Sequence, residues 1–168
     1  EHEHATFLAW LLEQVAEHDV DALLIAGDIF DASTPPASAQ GQWHGFLVEA
    51  WRRFPHLQVV AIAGNHDSPA RLEATAPLLR QLGRLHVVGQ PVRERLLIDL
   101  PARTGPGALV AAVPFLRAID VPAGVGHDQG VAQVYHTLVQ EALGRRRDQQ
   151  ALVGMGDRKS TRLNSSHG

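Results

Sequence analysis

At 168 residues and 45% hydrophobic content, the chain can bury one packed domain, or a piece of one, and is too short for two. Its charged fraction of 20% and formal net charge of -3 exclude a global basic field for nucleic acid, so any such grip must be local or come from a partner. Cysteine is absent, no basic segment followed by an apolar one opens the chain, and no apolar run nears membrane-spanning length; the expectation is a cytoplasmic protein with no membrane partner.

Glu1-His2-Glu3-His4 could be a metal-binding run, but it reads more simply as the solvated start of a helix. Phe7, Leu8, Leu11, Leu12 and Val15 then recur at helical spacing, with Trp10 beside them, and His18-Asp19 ends the helix. Ala22-Leu23-Leu24-Ile25-Ala26 is a continuous apolar run of buried-strand character. Gly27 follows it, where a residue without Cβ lets the chain turn sharply and project Asp28 from the strand end. Residues 32–36 end in Pro35-Pro36 and must be a loop. A second helix is predicted over 37–53, with Trp43, Phe46, Leu47, Ala50 and Trp51 on its apolar face, and Phe54-Pro55-His56 breaks it.

Val59-Val60-Ala61-Ile62-Ala63 repeats the strand pattern and leads into Gly64-Asn65-His66-Asp67. Strand, helix, strand in this order is a right-handed crossover unit, which places Asp28 and Asn65 side by side although 37 positions separate them. Both project from the carboxyl edge, where open α/β sheets bind ligands. A carboxylate, an amide oxygen and an imidazole gathered there suit Mn²⁺, Fe²⁺ or Zn²⁺.

Ser68-Pro69 predicts a capped helix running to about Leu82, with Leu72, Ala76, Leu78 and Leu79 inward, a kink at Pro77, and a helix dipole favouring an anion near His66. Gly83 closes it. Residues 85–88, 96–100 and 108–113 read as three shorter strands of a second sheet or an antiparallel extension, and Pro114-Phe115-Leu116-Arg117 is an abrupt exit. Residues 118–130 are expected to be loop with a solvated His127, residues 131–147 a helix ending in the dipole-compatible Arg145-Arg146-Arg147, and residues 151–155 a buried strand.

Gly27-Asp28-x-x-Asp31 and Gly64-Asn65-His66-Asp67 together resemble the signatures of calcineurin-like metallophosphoesterases. The longer stretches from Asp21 to Asp31 with Pro35-Pro36, from Ala63 to Pro69 with Arg71-Leu72, and from Val113 to Arg117 are similar to the SbcD/Mre11-type nuclease branch. The resemblance covers about Glu3 to Gly156. It implies an α/β metallophosphoesterase sandwich, βαβ units in two sheets flanked by helices, truncated at both ends. It also implies a two-metal phosphodiesterase using divalent ions, most often Mn²⁺, on DNA, partnered with an SMC-like (SbcC-like) ATPase in DNA repair and recombination, with a possible homodimer of the full-length protein. Asp28 would bridge the metals and Asn65 would bind one of them. His66 would serve the departing oxyanion, and Asp67 would orient its ring, with Asp31 a supporting carboxylate.

The resemblance also marks departures. The family's opening Asp-x-His strand does not precede the first helix, and Asp157 stands where a histidine is expected. Up to Gly156 the basic residues, histidine aside, are all arginine and Asn65 is the sole asparagine, whereas lysine first appears at Lys159. The division expected is therefore a partial nuclease domain over 1–156 and a non-native, adapter-like tail over 157–168. Besides a nuclease component, two alternatives stand: another phosphoesterase acting on nucleotides or phosphoproteins, and a truncated, catalytically dead module. The chain as written is expected to be inactive, because the recognised motifs leave the metal positions underfilled.

Overall fold

A computed structural model describes residues 2–157. The elements run α1 (His2–Glu17), β1 (Ala22–Ala26), α2 (Ala37–Arg53), β2 (Gln58–Ile62), α3 (Pro69–Leu72), α4 (Ala76–Gln81), β3 (Leu85–Val88), β4 (Leu97–Leu100), β5 (Ala108–Val113), α5 (His127–Arg145) and β6 (Ala151–Gly156). Short 3₁₀ turns lie at Glu73–Thr75, Arg93–Arg95 and Ala118–Asp120. The expected tail from residue 158 onward lies outside the described residues, as does the side chain of His2 in the opening histidine run. Among the described residues, no helix is long and apolar enough to cross a membrane.

Two three-stranded sheets form the core, in the orders β1-β2-β3 and β4-β5-β6. The first is wholly parallel; in the second, β4 and β5 are antiparallel while β5 and β6 are parallel. Strand β2 is buried along its whole length, and its alternation divides the core. Val59, Ala61 and Ala63 join Leu12 and Val15 of α1 and Trp43, Phe46, Leu47 and Ala50 of α2. Val60 and Ile62 face the other way, into a cluster with Val110 and Ala112 of β5 and Leu138 and Ala142 of α5. The result is helix, sheet, sheet, helix, the sandwich expected from the sequence.

Several local expectations are corrected. β3 does not belong with the later strands; it pairs parallel to β2, with Val59 opposite Leu85. The helix expected from Ser68 to Leu82 is broken into α3, a 3₁₀ turn and α4, because Pro77 at the start of α4 has no amide to continue the preceding turn. Ser68 is extended at its cap position but makes no side-chain cap bond there, and Leu78 is 67% exposed rather than inward. With four residues, α3 is too short to carry the expected dipole effect. α5 starts at His127, four residues before the expected position, and Gly130 lies buried within it against Val121 and Val125. Of the arginine triplet, Arg145 reaches Glu141 at 3.6 Å, whereas Arg147 lies beyond the helix and binds Asp99 of β4 and the Pro106 carbonyl.

Candidate functional site

Parallel pairing of β1 with β2 puts Ala26 opposite Ile62, so both strands end at the same level and their following loops emerge together. The first loop turns through Gly27 at φ 87° and Asp28 at φ 47°. The left-handed region is open to glycine and tolerated by aspartate, whose short polar side chain can bond locally. Asp28 does so across the loops: its Oδ1 accepts the His66 N–H at 3.1 Å. Asp28 and His66 are exposed and Asn65 is half-buried, so the three candidate side chains share one accessible edge of the sheet.

Gly64 is needed for that approach. A Cβ at this position would run into the amide and carboxylate of Asp28, with the Asp28 Cα at 3.0 Å. Gly64→Ala is therefore expected to force the two loops apart and to destabilise the domain by about 1–3 kcal/mol, as overpacking does. Denaturant unfolding checks this, and an unchanged midpoint would mean that the loops are not in contact.

Asp67 is buried, at 6% exposure. Its Oδ2 accepts the Ile29 N–H at 3.0 Å and the Gly64 N–H at 2.8 Å, and its Oδ1 accepts the Phe30 N–H at 2.9 Å. The expectation is that Asp67 orients the His66 ring; the bonds its oxygens make here are with these three backbone amides. The ring meets Asp31: His66 Nδ1 lies 3.1 Å from the Asp31 carbonyl oxygen, which acts as acceptor when that nitrogen carries the proton.

Three further groups reach this edge. Asp157 follows β6, which runs parallel to β5, and its Oδ2 accepts the Asn65 N–H at 2.8 Å. A residue placed in the tail by sequence thus touches the candidate site. Its position, directly after a strand ending in glycine and where the family resemblance expects a histidine, repeats the grammar of Gly27-Asp28 and Gly64-Asn65, although the change in composition assigns it to the tail. Tyr135 of α5 lies over Gly156, where its hydroxyl fills the space a Cβ would need. Burial, reinforced by the negative charge of Asp157, pushes the Tyr135 hydroxyl above the usual phenol range. Phe115, in the exit after β5, donates its N–H to the Ala63 carbonyl at 2.8 Å and so ties that segment to the end of β2. His127 is exposed at the start of α5, as expected.

An α/β sandwich that offers a carboxylate, an amide and an imidazole from adjacent strand ends has the architecture of a ligand-binding site. The family profile described as Calcineurin-like phosphoesterase matches residues 2–112, more than half of the sequence, and the chain belongs to the calcineurin-like phosphoesterase family. It is similar to SbcD, a component of the SbcCD nuclease, of Rhodobacter capsulatus, with 40% identity over 158 residues, covering 86% of this chain and 39% of the relative. The protein of the same name from Escherichia coli is 37% identical over 139 residues, covering 82% and 34% respectively. The "DNA double-strand break repair protein Mre11" of Archaeoglobus fulgidus is 35% identical over 88 residues, covering 49% and 19%. The chain thus spans less than two fifths of the length of the SbcD proteins it matches. The SbcD/Mre11-type resemblance expected from the motifs is the similarity found.

The family implies divalent metal ions. Among the described residues, no group of three or more His, Cys, Asp or Glu side chains is gathered as a metal ion would require. Asp28 and Asn65 share an edge, but this donor set does not make a centre for two ions.

Proposed function

We propose that the protein to which this chain belongs hydrolyses phosphodiester bonds of DNA, as the nuclease component of an SbcD/Mre11-type complex. The observation that carries the reading is the meeting of the Asp28 loop with the Asn65–His66 loop at one exposed edge, in a chain 40% identical to an SbcD protein. In this reading Asp28 and Asn65 are metal ligands of the complete protein, with Mn²⁺ the ion. The exposed His66 ring, steadied through Nδ1 by the Asp31 carbonyl, holds a proton for the departing oxygen. DNA is the substrate, an SMC-like (SbcC-like) ATPase is the partner, a homodimer is the assembly and the cytoplasm is the compartment. The relatives' name, which describes one component of a larger nuclease, supports a partnered enzyme.

The test compares the complete gene product, supplied with Mn²⁺, on end-labelled duplex DNA and on a small aryl phosphodiester. Cutting of the DNA that stops on chelation supports the reading. Turnover of the small ester with no attack on DNA would assign the protein to a different phosphoesterase activity. For the 168-residue chain alone, the sparse donor set among the described residues favours a module without turnover.

A further inference from the structure

We infer that Asp67 is the positioning residue of this site: its buried carboxylate clasps the Asp28 loop to the Asn65–His66 loop and sets where those side chains stand. The inference rests on the hydrolytic reading above, and Asp67 acts through its neighbours without touching a reacting atom.

The carboxylate is engaged wholly with backbone at the two loops. Ile29 and Phe30, which follow Asp28 directly, and Gly64, which precedes Asn65 directly, all donate to it. Every donor therefore lies within two residues of a candidate site side chain. Pairing of β1 with β2 ends at Ala26 and Ile62, and the clasp begins where that ladder stops. It carries the alignment of the strands into the loops, where no backbone pairing of β1 with β2 remains to do so.

The turn itself calls for such a restraint. Asp28 holds a positive φ of 47°, a conformation that persists in a non-glycine residue when its surroundings over-determine it. Fixing the next two amides on one carboxylate supplies that restraint, through charge-assisted bonds stronger than neutral ones. An isosteric amide cannot substitute, because its NH₂ would face at least one of three N–H donors and leave it buried without an acceptor. A glutamate keeps the charge, but its extra methylene does not fit a position only 6% exposed.

The experiment has two arms. In the ¹⁵N-labelled 168-residue chain, the amides of Ile29, Phe30 and Gly64 are expected to exchange slowly with solvent, although Ile29 and Phe30 lie outside any strand. Asp67→Asn is expected to release these amides and to shift the Asn65 and His66 signals, while those of β5 stay in place. Fast exchange of Ile29 and Phe30 in the unsubstituted chain, with the amides of β2 and β5 still protected, overturns the clasp without needing a variant that folds; if β2 and β5 are unprotected too, the same measurement is made on the complete protein. In the complete protein, Asp67→Asn is expected to lower kcat on DNA about 100-fold with KM nearly unchanged, since displacement of reacting groups by about an ångström costs that much. Asp67→Glu is not expected to restore it. A lower melting temperature with unchanged kcat per folded molecule would reduce Asp67 to a structural residue and overturn the positioning role. If the unsubstituted protein cuts no DNA, the nuclease reading falls by itself, and the exchange and signal-shift results alone uphold or overturn the clasp.

Discussion

Titrated with Mn²⁺, the 168-residue chain is expected to hold the ion loosely and to cut no labelled DNA. The recognised ligands Asp28 and Asn65, with the Asp157 carboxylate engaged by the Asn65 amide and water in the remaining positions, give a dissociation constant on the order of 10⁻⁴ M or weaker, since affinity follows the number and charge of fixed ligands. Neither His4 nor His127 repairs the deficit: each is exposed, one on α1 and the other at the start of α5, and no metal-holding group of three includes either among the described residues. Cutting that depends on Mn²⁺ and disappears in Asp28→Ala would mean that a working centre survives in this chain.

In the complete protein, two substitutions at the same edge are expected to fail differently. His66→Ala should lower cleavage by about 10²–10⁴-fold, the usual contribution of a positioned acid or base, while bound metal stays near its original level. Asp28→Ala should lose both cleavage and metal. The separation follows from the proposed roles, Asp28 as metal ligand and His66 as proton donor to the departing oxygen. Metal analysis beside a cleavage assay decides it. Equal metal loss in both variants would mean that the roles of Asp28 and His66 are misassigned.

The site's location is legible in the sequence because it depends on local rules. An apolar run, a glycine and then a polar side chain mark a buried strand and its turn, and the intervening helix makes the two strands parallel neighbours, so Asp28 and His66 meet as expected. For Asp67 the motif gives the place, while the backbone contacts it makes are visible only in the structure. Its reach to Ile29 and Phe30 depends on Asp28 taking a positive φ, which a sequence without a second glycine there does not advertise. For Asp157 the position is legible but the contact is not: its neighbour Asn65 is 92 positions away, and the change in composition after Gly156 assigns it to the tail. β3 is hard to place because periodicity distinguishes a strand from a helix but does not say which of two sheets receives it. Leu78 points inward only on a continuous helix, and once Pro77 divides that helix, α4 presents a different face.

In the proposed reading the functional edge lies where the loops after β1 and β2 meet. Mn²⁺, added in small amounts to the ¹⁵N-labelled chain, tests this directly, because even a loosely held paramagnetic ion broadens the amide signals nearest to it. The expected result is early loss of the Asp28, Asn65 and His66 signals, with those of His4 and His127 unaffected. Broadening centred on His4 or His127, with the strand-end loops untouched, would contradict it.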